Sequence, residues 1–306
     1  VNRIVILGVF MADLTFRAVR QPRMGETLPG LGFALGPGGK GSNQAVAAAK
    51  AGAEVHFVTR LGRDAFAEMA RATWAAAGVT PDVTEDAESH TGAASIFVEA
   101  ATGDNAIIIA PGAAGRISAA DIAEREALIA GASVFVTQLE QPLDAAMRAL
   151  RIARASGVRT ILNPAPAARL PEGMLALCDY VTPNESEAGL LTGLSVTDLE
   201  EARAAAAALR AAGAGAVILT LGEKGALYHD GAESVLVPAF DAGPVVETTG
   251  AGDAFNGSFA AALARGMAPL DAVHFGCAAA AISVTRAGAA ASMPTLAEIE
   301  TLLARG

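Results

Sequence analysis

Short apolar runs rich in β-branched residues alternate with helix-patterned segments along most of this chain, and few folds accommodate that alternation. Arg3 to Val9 is the first such run and reads as a buried strand. Further strands are expected at 54–59, 133–137, 158–162, 179–182, 216–220 and 226–229. Helices are expected at 43–51, 64–77, 119–130, 142–156, 198–212, 251–265 and 268–285. Two S/T-x-x-E sequences, Thr197-Asp-Leu-Glu200 and Thr295-Leu-Ala-Glu298, fit the capping box that opens a helix. Strands and helices in this order imply an α/β fold, its mostly parallel sheet covered by helices on both faces. One region departs from the pattern. Ala94 to Glu99 and Ala106 to Ile109 flank the polar turn Thr102-Gly-Asp-Asn105 and read as a β-hairpin. With residues 31–37 it is expected to form a small β-sheet lid, drawn from about 10–37 and 94–110, within one folding unit spanning 1–306.

Composition narrows the function. The chain has 306 residues, 52% hydrophobic and 18% charged, which excludes disorder. A formal charge of −10 argues against nucleic-acid binding. No apolar run reaches membrane-spanning length and no basic leader precedes a cleavage site, so a cytoplasmic protein without membrane association is expected. Cys178 and Cys277 form no CxxC, and His56, His90, His229 and His274 lack metal-ligand spacing.

Thr249-Gly250-Ala251-Gly252-Asp253 carries the strongest chemical signal. This turn of small residues runs into an Ala/Phe/Leu-rich helical pattern. Backbone N–H groups at a helix start have no intrahelical partner and attract anions. Asp253 in that positive potential suits a base that takes a proton from a hydroxyl while the N–H groups hold a transferring phosphoryl group. The alternative is a glycine-rich turn with Asp253 as a helix cap.

Gly36-Pro-Gly-Gly-Lys-Gly41 formally satisfies G-x-G-x-x-G, with Glu54 as a ribose-binding acid, so a nicotinamide-dependent oxidoreductase is one alternative. Pro37 inside the turn and its distance from the first strand count against it. Gly41 after Lys40 excludes a Walker A loop. The residues fit a polyol better: Gly38-Gly39 as hinge and amide donors, Lys40 and Asn43 as side-chain donors, Asp13 as acceptor. Polar groups also gather after the expected strands, at Asp13, Glu140, Asn163, Asn184 to Glu187 and Thr220 to Gly225. Ligands of open α/β sheets bind at that edge.

These motifs together resemble the ribokinase / phosphofructokinase-B family of carbohydrate kinases. The carriers are Gly38-Gly-Lys-Gly-Ser-Asn-Gln-Ala45, Leu162-Asn-Pro-Ala-Pro-Ala167 and Thr182-Pro-Asn-Glu-Ser-Glu-Ala188. Thr220-Leu-Gly-Glu-Lys-Gly225 and Gly250-Ala-Gly-Asp-Ala-Phe-Asn-Gly257 complete the set. The resemblance implies a three-layer α/β/α body with a β-sheet lid, and an ATP-dependent kinase that phosphorylates the primary 5-hydroxyl of a pentose. It makes Asp253 the base, with Gly250, Ala251 and Gly252 as the anion hole. It gives the sugar to Met11, Asp13, Gly39, Lys40, Gly41, Asn43, Glu140 and Asp253. ATP falls to Asn184, Thr220, Gly222, Glu223, Lys224, Gly225, Gly252 and Cys277, and Mg²⁺ to Asn184 and Glu187 through water. A monovalent cation, K⁺, falls to Glu247, Thr249, Ser283, Arg286, Gly288 and Ser292, some through carbonyls. A homodimer joined through the lid is also implied, and Ile96, Val98, Ile107 and Ile109 are expected to supply apolar surface on both lid faces.

Three positions depart from the family pattern. Met11 stands where ribokinases carry an asparagine that bonds ribose, so 2-deoxy-D-ribose is expected to be accepted as well as, or better than, D-ribose, unless Met11 packs against the lid and another group serves the hydroxyl. Glu247 replaces an aspartate of the cation site. Cys277 replaces a histidine near the adenine. A kinase for another sugar or a nucleoside, and a catalytically silent binding protein on the same fold, remain as alternatives.

Overall fold

A computed structural model describes residues 2–305. The chain enters with β1 (Arg3–Leu7), then β2 (Met11–Ala18), β3 (Gly32–Gly38), α1 (Lys40–Lys50), β4 (Glu54–Leu61) and α2 (Ala65–Ala77). Next come β5 (Thr80–Glu85), β6 (Ala93–Glu99), β7 (Asn105–Ala110), α3 (Ala119–Ala123), α4 (Glu126–Ala130), β8 (Val134–Thr137) and α5 (Leu143–Ala155). The middle of the chain forms β9 (Arg159–Leu162), β10 (Tyr180–Val181), α6 (Glu185–Thr192), α7 (Leu199–Ala211) and β11 (Ala216–Thr220). It closes with β12 (Ala226–His229), β13 (Ser234–Val237), α8 (Ala251–Ala264), α9 (Pro269–Ser283) and α10 (Leu296–Leu303).

Nine strands form the main sheet in the order β13-β12-β11-β10-β9-β8-β1-β4-β5. The β11–β12 and β12–β13 pairs are antiparallel; the other neighbours are parallel. Side chains alternate across each strand, so β1 feeds two cores. Ile4 and Ile6 pack into one with Ala45 of α1 and Phe255 and Phe259 of α8. Val5 and Leu7 pack into the other with Leu150 of α5 and Leu209 of α7. Both faces are thus covered, which is why Ile4 to Leu7 and Val134 to Val136 are unbroken apolar runs. Strand order reverses at β1, which lies between β4 and β8, and a binding crevice opens beyond the carboxyl ends there.

The second sheet has four strands, β3-β2-β6-β7, and is the expected lid. β2 and β6 run parallel while β3 and β7 pair antiparallel on either side. Paired residues share a face. Register puts Asp13, Ala94 and Ile109 on one face, followed by Thr15, Ile96 and Ile107, then Arg17 and Val98. Ile96, Val98, Ile107 and Ile109 therefore share the Asp13 face, contrary to the expectation that they serve both. The opposite face carries Leu14, Phe16, Phe33, Leu35, Phe97 and Ile108.

Other expectations also shift. α1 starts at Lys40, three residues early, because Gly39 takes φ 88° and turns the chain into the helix. The helix expected at 119–130 breaks at Glu124-Arg125, where Arg125 leaves helical geometry at φ −111°. β5, β13 and α6 had no forecast. β5 is polar and contains Pro81, which fits an edge strand. The Thr295–Glu298 capping box forms as read. At α7 the cap slides one residue: Asp198 accepts from the Glu201 N–H, and the Glu201 carboxylate accepts from the Thr197 N–H and hydroxyl.

Candidate active site

Asp253 lies in the first turn of α8 and is 7% exposed. Gly250 caps that helix in the left-handed region at φ 81°, a conformation that favours glycine. A side chain at Gly252 would meet nothing within 4 Å, so open space adjoins the helix start. The Ala251 N–H is already engaged, donating to the Thr248 carbonyl at 3.1 Å. The backbone donors left open at this turn are therefore sought among the amides that follow it.

Two consecutive residues of α1 hold the carboxylate. Asn43 Nδ2 donates to Asp253 Oδ2 and Gln44 Nε2 to Asp253 Oδ1, each at 3.0 Å. Burial nonetheless pushes the Asp253 carboxyl above the ordinary range, opposed by the Lys40 ammonium and these two amides. Among the described residues Asn43 Oδ1 is buried with no partner, leaving an acceptor for a hydroxyl. The alternative in which Asp253 merely caps its helix fails: α8 has no side-chain cap bond.

Glu140, beyond β8, accepts from the Lys40 N–H at 2.8 Å and so closes the start of α1. Burial lifts its carboxyl to about 7, with Asp253 and Asp13 adding repulsion and Lys40 opposing. Asp13 was expected in a loop after the first strand; it lies in β2 of the lid, and burial lifts it to about 6. Its carboxylate lies over Gly38, where an added Cβ would come within 2.1 Å. Gly39, expected as part of a hinge, is wedged against the Val9 carbonyl, 2.5 Å from where a Cβ would stand. Gly41 packs against the backbone of Gly8, whose Cα lies 2.7 Å from where a Cβ at Gly41 would stand. Met11 is 5% exposed and belongs to the second core, while its register partner is Gly38.

Asn184 and Glu187 form an unforecast capping box on α6: Asn184 Oδ1 accepts from the Glu187 N–H at 2.8 Å, and Glu187 Oε2 from the Asn184 N–H at 2.9 Å. Ser186 also donates to Asn184 Oδ1, leaving Asn184 little acceptor capacity for a metal. Glu187 keeps Oε1 free of these bonds, and burial raises its carboxyl, with Asp253 adding to that and Lys40 opposing. Lys40 thus acts on both Glu187 and Asp253, and Asp253 acts on Glu187.

Thr220 ends β11 and bridges to Asn184, and the turn Gly222–Lys224 follows. Gly222 is open, whereas Gly225 (φ 99°) presses on the Val237 carbonyl, so Gly225 shapes the turn. Glu223 and Lys224 are exposed on it. Cys277 lies in α9 among core residues, its thiol pushed up to about 12 by burial. In the region read as a cation site, Glu247 Oε2 accepts from the Gly288 N–H at 2.8 Å. The Ser283 and Ser292 hydroxyls donate to the Ala280 and Ala289 carbonyls, each at 2.8 Å. Arg286 points its guanidinium at Glu298, 2.5 Å away, which leaves only its carbonyl for a cation. Thr249 lies in the turn before α8. Among the described residues no group of three or more His, Cys, Asp or Glu side chains forms a metal cluster.

Sequence reasoning missed a buried chain of amides behind Asp253. Gln138 Nε2 donates to Gln44 Oε1 at 2.7 Å, Gln44 Nε2 also donates to Asn163 Oδ1 at 3.0 Å, and Asn163 Nδ2 to the Thr182 carbonyl at 3.1 Å. Thr182 Oγ1 donates to Asn256 Oδ1 at 2.6 Å, and Asn256 Nδ2 to the Gly252 carbonyl at 2.8 Å. The signal was the presence of polar residues in segments that are otherwise buried.

The glycine motif Gly36–Gly41 begins inside β3 of the lid and not between the first strand and a helix, so the dinucleotide-binding alternative falls. A three-layer body, a β-sheet lid and a carboxylate at a helix start define a sugar kinase of the ribokinase-like fold. Residues 1–296 match the pfkB family carbohydrate kinase profile. A ribokinase from Haemophilus influenzae is 39% identical over 96% of both chains. A deoxyribokinase from Salmonella typhimurium is 37% identical over 98% of both. The structure of Arabidopsis thaliana ribokinase complexed with ribose and ATP superposes with a TM-score of 0.93, at 30% identity over 98% of both chains. The chain belongs to the pfkB family of carbohydrate kinases.

Proposed function

We propose that the enzyme transfers the γ-phosphoryl group of ATP to the primary 5-hydroxyl of D-ribose. The observation that carries this reading is Asp253, a buried carboxylate held at the head of α8 by Asn43 and Gln44 with open space beside Gly252. Asp253 takes the hydroxyl proton as the bond to phosphorus forms, and the α8 amides receive the negative charge of the phosphoryl oxygens. Asp13, Glu140 and the free Oδ1 of Asn43 accept from the other hydroxyls; Lys40 tempers the repulsion among the carboxylates. Thr220 and Gly222 line the nucleotide, and Glu187 would hold Mg²⁺, which would neutralise charge on the phosphates. The carbonyls around Glu247 and Gly288 suit a monovalent cation such as K⁺. The test is ribose-dependent ADP formation with the product located by NMR. A 5-phosphate is expected; no sugar-dependent turnover, or phosphorylation at another carbon, overturns the reading.

A second reading concerns the sugar, and Met11 favours it. A thioether with 5% exposure offers no hydrogen bond to a hydroxyl. A hydroxyl left unpaired there costs roughly 1–3 kcal/mol, up to about a hundredfold in affinity. We therefore infer that 2-deoxy-D-ribose is used at least as well as D-ribose, a reading the similarity to a deoxyribokinase supports. A kcat/KM for ribose far above that for deoxyribose refutes it. The exposed apolar face of the lid, with Phe33 59% and Ile108 75% exposed, supports a homodimer that covers it.

A further inference from the structure

The base and the anion-binding turn are held by one continuous chain of buried side chains, and this has consequences for the rate. At one end Gln44, fully buried, fixes Asp253 Oδ1. At the other, Asn256, 1% exposed, donates to the Gly252 carbonyl. That carbonyl belongs to the peptide unit whose N–H is the amide of Asp253. A hydrogen bond to a carbonyl polarises its peptide and strengthens the N–H on the other side. Asn163 and Thr182, at the carboxyl ends of β9 and β10, join the two ends. Behind Gln44, Gln138 donates to its Oε1, which fixes the Gln44 amide with its nitrogen toward Asp253. Gln138 Oε1 in turn lies where side chains at Gly8 and Gly41 would intrude, 2.5 and 2.9 Å from their Cβ positions. The glycines thus leave room for the chain.

We propose that Gln44 and Asn256 are positioning residues for phosphoryl transfer: Gln44 fixes the carboxylate of the base, and Asn256 fixes the peptide whose N–H receives the phosphoryl charge. The inference rests on Asp253 being the base. Neither side chain needs to touch a substrate. The two ends act on different quantities. Removing the Gln44 donor withdraws a bond from the charged form of Asp253, so more alkaline solution is needed to ionise it. Removing the Thr182 hydroxyl loosens Asn256 and weakens the amide without touching the carboxylate. Charged groups acting on Asp253 and its surroundings are Lys40 from α1, Glu187 from α6, Glu140 beyond β8 and, through Glu140, Asp13 from the lid. Their own titration is common to the parent and the variants, so the comparison isolates the added shift.

The experiment measures single-turnover rate against pH, KM for D-ribose and calorimetric ATP binding for the parent, Gln44→Met, Thr182→Val and Asp253→Asn. Gln44→Met is expected to slow transfer at least about tenfold and to move the acid limb of the profile up by about one pH unit. Its ribose KM should stay within about threefold of the parent, because a bond to the base acts on the rate more than on sugar binding. Thr182→Val should slow transfer severalfold with the limb in place. A limb that does not move in Gln44→Met, or a KM that rises in step with the lost rate, overturns the proposal. If Gln44→Met fails to bind ATP because it does not fold, Thr182→Val decides alone: a parental rate overturns the proposal, and a slower rate with unchanged KM supports it. Asp253→Asn separates the two levels. If it stays active, the base assignment falls and takes this inference with it; if it is inactive while Gln44→Met behaves as the parent, only the inference falls.

Discussion

At the residue scale, an acidic site has been built where water is scarce. Burial lifts Asp13 to about 6 and Glu140 to about 7, both above their ordinary values. A raised carboxyl keeps its proton in the folded protein at pH values where the unfolded chain has lost it. The stabilising contribution of these two groups is therefore largest in acid and falls as pH rises from about 4 to about 7. Under the proposed function, sugar binding by their ionised forms runs the other way and strengthens over the upper part of that window. The ligand-free enzyme should accordingly melt at a lower temperature at about pH 8 than at about pH 5, through these groups, while KM for the sugar drops over the same range. Asp13→Asn and Glu140→Gln should each flatten both curves, which scanning calorimetry and steady-state kinetics can check. Asp253→Asn should lower kcat by at least about a hundredfold and largely spare sugar binding; near-normal turnover would exclude Asp253 as the base. Asp253 and Asn43 stood out in the sequence because each sits in a compact motif. Gln44 within such a motif, and Gln138 outside one, gave no sign of their role. Their partners lie as far as 209 residues away, and only the fold brings those amides together.

At the element scale, α1 and α6 each carry part of the candidate site and differ in how they are held. α1 approaches β1 so closely that a Cβ at Gly41 would come within 2.7 Å of the Gly8 Cα. Gly41→Ala must displace backbone, and overpacking of this kind costs about 1–3 kcal/mol. Thermal unfolding should show that loss, and sugar KM should rise as Lys40 and Asn43 move with the helix. α6 is eight residues long and depends on its capping box. Asn184→Ala should cost about 1 kcal/mol of stability measured without nucleotide, since the cap acts whether or not ATP is bound. The longer helices were readable from their apolar periodicity. β5, β13 and α6 were not: two are short or polar edge strands, and the helix is too brief and too weakly amphipathic to stand out. The slip from Thr197 to Asp198 at α7 has a similar cause, since neighbouring Thr and Asp both make good caps and only Glu201 decides between them.

Taken as a whole, the molecule divides into an α/β body and a sheet whose outer face is apolar. Phe16 and Phe33 meet there with ring centroids 5.0 Å apart, although both side chains are exposed. Phe33→Asp should convert a dimer closed over this face into a monomer in sedimentation velocity, with folding intact because Phe33 lies outside both cores. A parent that sediments as a monomer would place the contact elsewhere or nowhere. The lid's existence was readable from its hairpin, but its facing was not, because register across four strands decides which residues look inward. That same register puts Met11 and Asp13 on β2, while Asp253 is anchored to helices of the body. Descendants of this enzyme could thus exchange one carbohydrate for another by editing a ribbon, leaving the machinery that breaks the nucleotide's terminal bond untouched.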